Sequence, residues 1–590
     1  IGLRAFGETY VIIKQRPVPV ASDTLNNLAP ILQRIYSARG VVDEAELDKR
    51  LQALLPFNTL MGIDKACARL EQALRLQQKI LIVGDFDADG ATSSALAISA
   101  LRAMGASQVE FLVPNRFAFG YGLTPGLIEV AKKWHPDLII TVDNGIASID
   151  GVDAANAAGI DVLVTDHHLP AETLPNACAI VNPNQVGCCF PSKAIAGVGV
   201  IFYVMLALRR HLVECDWFKS AQIPEPNMAQ FLDLVALGTV ADVVPLDKNN
   251  RILVHQGLER IRQGLCRPGI QGLIKISGRK CETLRESDLG FAIAPRLNAA
   301  GRLDDMSLGI ECLLSDTLEK ASLLAGELDE LNSERRKIEL EMKDQALLAL
   351  DKLALPTAQG SASLPIALCL FDQSWHQGVI GILAGRLKER YHRPVLAFAA
   401  SSETELKGSA RSIPGLNIRD VLAAVDRDNP GLITKFGGHA MAAGLSLHPD
   451  AFPAFRQALI TEVSNHLDLS QCKGELLSDG GLQTSELNLD IARLLQNAGP
   501  WGQQFPEPLF DDEFEILDQR IVGQNHLKLT LARGLGSEPL DAIAFNIDLK
   551  EWPNHRARSL HAAYKLDINE YNGRTRLQLM LVTMKANLEP

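Results

Sequence analysis

Three short clusters of carboxylate and imidazole side chains each follow a run of β-branched and apolar residues. The clusters are Asp85-Phe86-Asp87-Ala88-Asp89-Gly90 after Ile80–Val83, Asp143-Asn144-Gly145 after Leu138–Val142, and Asp166-His167-His168 after Val162–Thr165. Short apolar runs bounded by Gly and Asp are typical of buried strands. Because an open parallel sheet binds ligands beyond the carboxyl ends of its strands, the clusters predict one cleft rich in oxygen and nitrogen donors. Such a donor set is suited to metal-dependent hydrolysis.

Each cluster taken alone has an ordinary structural interpretation. The sequence Asp-x-Asp-x-Asp-Gly also begins the calcium loop of an EF-hand, which needs a Glu at position twelve, but counting from Asp85 that position is Leu96. Asp143-Asn144-Gly145 fits a simple turn, and His167-His168 fits a polar pair. Their joint placement at three predicted strand ends favours a metal site, because the structural interpretation must explain each cluster separately.

Strand and helix alternate around these clusters, and this alternation predicts an α/β protein with a doubly wound parallel sheet. The helices are expected to end at glycines such as Gly105 and Gly159. The predicted elements are strand Ile80–Val83, helix Thr92–Met104, strand Val109–Val113, helix Pro125–Trp134, strand Leu138–Val142, helix Ser148–Ala158 and strand Val162–Thr165.

Later segments of the chain predict a long helix, a second α/β domain and a barrel. Apolar residues at helical spacing in the charged segment Thr317–Leu353 favour one connecting helix over the alternative of a coiled coil. A helix that ends at Tyr391 and a strand at Val395–Phe398 indicate the second α/β domain. Near the end, leucines alternate with other residues from Leu527 and again from Leu577, which predicts a small β-barrel such as an OB-fold.

Length and composition bound the class of protein. A chain of 590 residues is too long for one core, so about three or four domains are expected. We see no apolar run of membrane-spanning length and no signal-peptide pattern, and the ten cysteines contain no C-x-x-C. These features indicate a cytoplasmic protein with reduced thiols and no membrane partner. The net charge of −12 weighs against a general nucleic-acid binder, although cations held by the acidic cluster would invert the local field.

The expected domain order follows from these segments. We predict an N-terminal arm at 1–45, the parallel-sheet domain at 46–316, the connecting helix at 317–353, the second α/β domain at 354–470 and the OB-fold-like barrel domain at 471–590.

Several motifs resemble those of the DHH phosphoesterase superfamily. Its four motifs are similar, in order, to Asp87-Ala88-Asp89-Gly90, Asp143-Asn144-Gly145, Asp166-His167-His168 and Gly238-Thr239-Val240-Ala241-Asp242. Gly437–Gly444 resembles the glycine-rich motif of the associated DHHA1 domain. Pro295–Arg302 and the trailing β-domain are similar to the branch of single-strand-specific DNA exonucleases. The resemblance spans roughly residues 80–585.

This resemblance implies a function and its cofactors. It implies a metal-dependent 5′-to-3′ exonuclease that hydrolyses single-stranded DNA to mononucleotides in DNA repair and recombination. It also implies two divalent metal ions, Mn²⁺ or Mg²⁺, and a single-strand-binding protein as partner. We expect a monomer whose metal cleft lies between the two α/β domains.

A pair of divalent ions needs a bridging carboxylate, further oxygen ligands and some imidazole to favour manganese. We predict Asp143 as the bridge. The other predicted ligands are Asp87, Asp89, His167 and Asp242.

Three neighbouring residues receive less direct roles. Asp85 either ligates a metal or supports the ligands, and Asp166 is predicted to orient an imidazole. His168 is predicted to be catalytic, with the alternative that it holds the scissile phosphate, as the second His does in relatives.

Substrate contacts require cationic or donor-rich groups. Ser409 and Arg411 resemble residues that grip a 5′ phosphate in the superfamily, and small residues let the backbone of the loop Gly437-Gly438-His439 approach phosphate closely. Further candidate cations are Arg116, Arg296 and Arg302, for which a structural ion pair is the alternative. Phe119 and Tyr121 are candidates for base stacking, with core packing as the alternative.

Two other functions stay open at this point. One is a relative that hydrolyses very short oligonucleotides or cyclic dinucleotides, a task that needs no added barrel. The other is a replication scaffold that keeps the fold without catalysis, which the complete set of expected ligands disfavours.

Overall fold

The computed structural model describes residues 2–4, 10–19, 23–115, 119–353, 355–356, 362–534, 537–549, 552–571 and 573–587. The chain forms two compact units. One unit contains Val41–Glu334 and Gly499–Glu507, and the other contains Ile1–Gly40, Arg335–Ala498 and Pro508–Pro590. Among the described helices, none has the length and apolar character needed to span a membrane.

The first residues of the chain form two strands and a helix. These are β1 (Gly2–Arg4), β2 (Tyr10–Gln15) and α1 (Pro30–Ser37). Pro30 suits the first turn of α1, where a backbone N–H has no partner within the helix.

A five-stranded sheet forms the core of the Val41–Glu334 unit. Its strands are all parallel and lie in the order β4-β3-β5-β6-β7. The strands are β3 (Ile80–Gly84), β4 (Val109–Leu112), β5 (Leu138–Val142), β6 (Asp161–Thr165) and β7 (Ala179–Val181). The helices around them are α2 (Ile63–Arg75), α3 (Ala88–Ala103), α4 (Pro125–Ala131) and α5 (Ile149–Ala157). Every residue of β3 and β5 is buried, as expected for central parallel strands covered on both faces, and the predicted doubly wound sheet is confirmed.

Helix α3 begins four residues earlier than the predicted start at Thr92, because Asp87 caps it. The carboxylate of Asp87 accepts hydrogen bonds from the N–H groups of Asp89 and Gly90, both at 3.0 Å. The acidic loop, Asp85–Asp89, therefore runs directly into the first turn of the helix.

Helices follow the sheet in the same unit. They are α6 (Gly197–Glu214), α7 (Trp217–Ser220), α8 (Leu232–Ala241), α9 (Lys248–Arg262), α10 (Pro268–Ile276), α11 (Glu286–Asp288), α12 (Ala294–Leu303) and α13 (Ser307–Leu314). A π-helical turn, Leu289–Ile293, connects α11 to α12. The predicted connecting helix is present as α14 (Leu318–Leu353), a single helix of 36 residues that contributes to both units.

The second unit contains a mixed sheet. After the short strands β8 (Leu355–Pro356) and β9 (Ala362–Ser363), the sheet has the order β10-β11-β12-β14-β13. Its strands are β10 (Leu368–Phe371), β11 (Val395–Ala400), β12 (Leu406–Arg411), β13 (Lys435–Gly438) and β14 (Ala442–Leu447). Its helices are α15 (Ile380–Tyr391), α16 (Ile418–Asp428) and α17 (Phe452–His466). Buried and partly exposed residues alternate along β12, so one face packs on the core and the other stays open.

A closed five-stranded barrel ends the chain. It follows β15 (Gly474–Ser478) and α18 (Leu489–Ala498), and its strand order is β16-β17-β18-β20-β19. The strands are β16 (Phe510–Val522), β17 (His526–Ala532), β18 (Leu540–Ala544), β19 (Ser559–Tyr571) and β20 (Arg574–Asn587). The leucines that alternate along β17 are buried, so the predicted barrel is confirmed. The boundaries predicted for the five domains stay a prediction.

The start of the chain is joined to the segment before the barrel. Strand β2 pairs in parallel with β15, and Arg39 binds both carboxylate oxygens of Asp479 at 2.8 and 2.9 Å. Both side chains of this ion pair are fully buried. A buried charge that loses its partner is strongly destabilising, so removal of either side chain of this pair is expected to destabilise the unit.

We expect the variant Asp479→Asn to lower the free energy of unfolding by about 3–5 kcal/mol, because it leaves the buried Arg39 guanidinium without a counter-charge. Urea unfolding followed by circular dichroism measures this change. The control is Asp490→Asn, which removes the partner of Arg493 in an exposed pair at 3.4 Å. The control should change the free energy of unfolding by less than about 1 kcal/mol. Equal effects of the two variants would contradict the structural role of the buried pair.

Candidate metal centre

Asp143 follows β5 in an unusual backbone conformation. Its φ of 62° lies in the left-handed region, which is uncommon for a residue other than glycine. The next side chain stabilises this turn, because Asn144 Nδ2 donates to the carbonyls of Val83 at 3.0 Å and Val142 at 2.9 Å. The carboxylate of Asp143 is thereby fixed and buried at the end of the sheet, where only 2% of the residue is exposed.

The loop after β3 and the first turn of α3 supply three further carboxylates. Asp87 caps α3, and Asp85 accepts a hydrogen bond from the Phe86 N–H at 2.7 Å. Asp89 is held by the first turn of α6: its Oδ2 accepts from Gly197 N at 2.7 Å and its Oδ1 from Val198 N at 2.9 Å. A helix N-terminus stabilises a carboxylate in this way.

Asp166 orients the two histidines after β6. Its Oδ1 accepts the N–H groups of His167 at 2.7 Å and His168 at 3.1 Å, and it lies 2.7 Å from His168 Nδ1. Its Oδ2 accepts from Ile146 N at 2.9 Å. Burial alone would raise the pKa of Asp166, but these hydrogen bonds and the histidine charges lower it below its ordinary value.

Asp242, at the end of α8, lies near the carboxylates and histidines described above. Its backbone N–H donates to Gly238 O at 2.9 Å, which closes the last turn of the helix. A side-chain carbon at Gly238 would lie 2.8 Å from Asp89 Oδ1 and 2.3 Å from Thr92 Oγ1, so only glycine allows α8 to pack this closely.

The functional atoms of these elements converge. His167 Nε2 lies 3.1 Å from Asp143 Oδ1 and 3.5 Å from Asp242 Oδ2. Both of these carboxylate oxygens are buried and have no hydrogen-bond donor among the described residues. Buried oxygens without donors are costly unless a cation binds them, so the residues fit a metal site.

Potential ligand atoms form three overlapping groups, and the atoms of each group lie within 4.8 Å of one another. The groups are Asp85-Asp87-Asp143, Asp89-His167-Asp242 and Asp143-His167-His168. Asp143 and His167 each belong to two of these groups. The separate roles of these residues stay a prediction.

The carboxylates in this cluster repel one another. Burial and then the charge of Asp87 raise the pKa of Asp89 to about 7. Burial and the neighbouring carboxylates, Asp89 first, raise the pKa values of Asp143 and Asp242 well above the ordinary value. Divalent cations would relieve this repulsion and keep the carboxylates ionised.

His168 lies beside Tyr121 at the edge of the cluster. Burial alone would lower the pKa of His168, but the hydrogen bond to Asp166 and the nearby carboxylates raise it to about 8. The Tyr121 hydroxyl lies 3.3 Å from both ring nitrogens of His168 and from the carbonyl oxygen of Asp143. A cationic imidazole attracts phosphate, which favours the alternative that His168 holds the scissile phosphate.

Sequence reasoning gave no role to three residues that support the metal centre, although two of them lie in the quoted motif Pro295–Arg302. Asn298 Oδ1 accepts the N–H of Ala88 at 2.8 Å. A side-chain carbon at Gly301 would lie 1.8 Å from Phe86 O, and one at Gly197 would lie 2.6 Å from Asp143 Oδ1. For the two glycines, the signal that could have found them is a glycine within a helical pattern, which marks a close approach of backbone.

The predicted 5′-phosphate residues lie together in the Arg335–Ala498 unit. Arg411 Nη1 donates to Ser409 Oγ at 3.0 Å, and burial lowers the pKa of Arg411. A side-chain carbon at Gly381, near the start of α15, would lie 3.0 Å from both Ser409 Oγ and Arg411 Nη2. Gly437 and Gly438 are in β13, and the exposed His439 begins the turn to β14, its N–H donating to Ala442 O at 2.8 Å.

The three other candidate arginines differ in their surroundings. Arg296 is buried, and its Nη2 lies 2.7 Å from Asp329 Oδ1, which is the structural ion pair of the alternative interpretation. Arg302 is partly buried at the end of α12. Arg116 lies outside the described residues. Their contacts with DNA stay a prediction.

Three families of known domains match the chain. They are the DHH family N-terminal domain over residues 79–239, the DHHA1 domain over residues 364–465 and the RecJ OB domain over residues 478–583. The single-stranded-DNA-specific exonuclease RecJ of Dickeya dadantii is 54% identical over 573 residues, which cover 97% of this chain and 99% of that relative. This chain belongs to the RecJ family.

Other members of the RecJ family agree with this assignment. RecJ of Escherichia coli strain K12 is 52% identical over 569 residues, which cover 96% of this chain and 98% of that protein. The crystal structure of RecJ from Thermus thermophilus in complex with Mn²⁺ has a TM-score of 0.79 at 30% identity and covers 98% of this chain and 79% of that one. A Mg²⁺ complex of the same protein has a TM-score of 0.73.

We expect Mn²⁺ to raise the melting temperature of the native protein, because a ligand that binds only the folded state stabilises it. The variant Asp143→Asn should lose this increase. Without metal the variant should melt at the same temperature or higher, since it removes one of the repelling carboxylates. Asp153→Asn changes an exposed carboxylate on α5 and is the control. If Mn²⁺ raises the melting temperature of Asp143→Asn as much as that of the native protein, Asp143 is excluded as a ligand.

A second prediction concerns the close contact at Gly197. Gly197→Ala should weaken Mn²⁺ affinity at least tenfold in calorimetric titration, because the added methyl group must displace the Asp143 carboxylate. The control is Gly326→Ala on α14, where the added carbon meets no atom within 4 Å. This control should bind Mn²⁺ normally and gain about 0.5–1 kcal/mol of helix stability. Native affinity in Gly197→Ala would contradict the described packing.

Proposed function

We propose that this protein is a metal-dependent exonuclease that hydrolyses single-stranded DNA from the 5′ end to mononucleotides, in DNA repair and recombination. The observation that carries the proposal is the convergence of three side chains. His167 Nε2 lies 3.1 Å from Asp143 Oδ1 and 3.5 Å from Asp242 Oδ2, and neither carboxylate oxygen has a hydrogen-bond donor among the described residues. Similarity to exonucleases named for single-stranded DNA supports the substrate class.

Mn²⁺ or Mg²⁺ would be held by the Asp85–Asp89 loop, Asp143, His167 and Asp242. Such ions, when bound, stabilise the negative charge that develops on a phosphodiester and make water a better nucleophile. RecJ of Thermus thermophilus, whose structures contain each of these ions, supports the choice of metal.

The protein's own residues orient the substrate. His168, fixed by Asp166 and raised in pKa to about 8, presents a cationic ring to the scissile phosphate. Ser409 and Arg411 bind the terminal 5′ phosphate through a hydroxyl and a guanidinium that are already hydrogen-bonded to each other. Both groups are set before substrate binds, so little conformational entropy is lost on binding.

The two alternative functions have less support. A phosphodiesterase for short oligonucleotides or cyclic dinucleotides needs no barrel, whereas this chain has a closed one that matches the RecJ OB domain. A non-catalytic scaffold would not need a complete ligand set, and here the carboxylates and imidazole stay clustered despite their repulsion.

We also propose a monomer that works in the cytoplasm together with a single-strand-binding protein. The described cysteines are free thiols, which supports a reducing compartment.

The test of the function uses one oligonucleotide labelled at the 5′ end and, separately, at the 3′ end, with Mn²⁺ or Mg²⁺. We expect a labelled mononucleotide immediately from the 5′ label and a gradually shortening ladder from the 3′ label. A chelator or Asp143→Ala should stop both reactions while DNA binding persists. A blunt duplex of the same sequence should be a poor substrate.

Different outcomes would contradict the proposed polarity, the proposed substrate length and the proposed catalysis. Early release of mononucleotide only from the 3′ label would refute the polarity. Cleavage of dinucleotides but not of longer strands would favour the short-substrate alternative. Binding without hydrolysis under either metal would favour the scaffold.

A further inference from the structure

Phe291 has an unusually exposed ring next to elements of the metal centre. The residue is 82% exposed, while the next most exposed phenylalanine and tyrosine among the described residues are Tyr121 at 49% and Phe545 at 44%. Its neighbours Leu289 and Ile293 are fully buried. A single exposed apolar side chain is ordinary on a protein surface, so the exposure of Phe291 gains meaning only together with the backbone and the contacts around it.

The backbone around Phe291 is a π-helical turn, Leu289–Ile293, between α11 and α12. π-helical turns are rare and occur often at functional sites. The turn allows Leu289, Ala292 and Ile293 to point into the core while Phe291 points into solvent.

Contacts fix this turn and α12 to the metal-binding elements. A side-chain carbon at Gly290 would lie 3.3 Å from Cγ1 of Val240, two residues before Asp242 in the same helix end. At the far end of α12, Asn298 and Gly301 contact the acidic loop at Ala88 and Phe86. Phe291 is therefore carried on a rigid support that touches both the end of α8 and the Asp85–Asp89 loop.

The buried arginine of α12 adds to this rigidity. Arg296 Nη1 donates to Ala292 O in the π-helical turn, and Nη2 binds Asp329 on α14. These contacts engage the Arg296 guanidinium within the protein.

We propose that Phe291 stacks on a base of the single strand and positions the strand for the metal centre. The proposal rests on the proposed nuclease function. A base is the occupant that fits an exposed ring whose supporting elements contact a phosphodiester-cleaving site, because every base has a flat face that stacks on an aromatic ring without regard to sequence. A base paired in a duplex is already stacked on both sides, so the contact also favours single strands.

The test compares Phe291→Ala, Phe291→Leu and Phe291→Trp in digestion of a single-stranded oligonucleotide. Phe291→Ala should raise KM about 5- to 100-fold, as loss of one stacked base does, with kcat little changed. Phe291→Trp should keep native KM, and Phe291→Leu, which is apolar without an aromatic face, should resemble Phe291→Ala. Leu323→Ala removes an apolar side chain of similar exposure, 67%, and should have no effect.

Two further measurements separate stacking from other roles of the ring. Binding measured in EDTA should depend on salt with the same slope in Phe291→Ala and native protein, because stacking neutralises no phosphate. In a set of oligonucleotides, each lacks the base at one position, and that position moves stepwise from the 5′ end. At one position, removal of the base should weaken binding to the native protein but not to Phe291→Ala.

A native KM in Phe291→Ala, or the absence of such an abasic position, would overturn the proposal. Loss of binding to a single-strand-binding protein with unchanged DNA affinity would also overturn it and would assign the ring to a protein contact. If native protein binds no DNA and cleaves none, it is the proposed function that fails.

Discussion

Electrostatic repulsion within a buried cluster of carboxylates is the constraint on which the site depends. Asp89, Asp143 and Asp242 come from different elements, and burial together with the charges of neighbouring carboxylates raises the pKa of each, Asp87 acting on Asp89 and Asp89 on the other two. A folded chain does not gather such groups for stability, since each ionised carboxylate makes the next less favourable. Their proximity instead makes the cluster a strong site for divalent cations, which need several oxygen ligands at once.

Close backbone packing holds the repelling groups in place. Gly197, Gly238 and Gly301 each stand where a side-chain carbon would collide with the acidic loop or Asp143 or a neighbouring side chain. Backbone hydrogen bonds also hold the carboxylates, because two N–H groups at the start of α6 donate to the two carboxylate oxygens of Asp89. The helices after the sheet are therefore part of the metal centre, although only Asp242 among their described side chains points to it as a candidate ligand.

The strands and their polar ends were predictable from sequence because each apolar run is short and ends in Gly or Asp. Strand β5 has its predicted bounds, and β3 is longer by Gly84 alone. The start of α3 was not predictable from periodicity, since the Asp87 cap extends the helix into the acidic loop.

Contacts between segments that are far apart in the chain could not be predicted from the sequence either. The hydrogen bond between Asn298 and Ala88 joins residues 210 positions apart, and no local pattern reports it. Arg296 illustrates the same limit, because its type and motif indicate a phosphate contact while its position in the fold pairs it with Asp329. Predicting the residue types at a site is thus easier than predicting which of them are already bound within the protein.

The most direct test of the central claim is anomalous diffraction from crystals grown with Mn²⁺. The account predicts two anomalous peaks, both within bonding distance of the Asp143 carboxylate, with the Asp85–Asp89 loop, His167 and Asp242 completing the ligands. No peak in this cluster, or ordered Mn²⁺ that leaves Asp143 unbound, would contradict it.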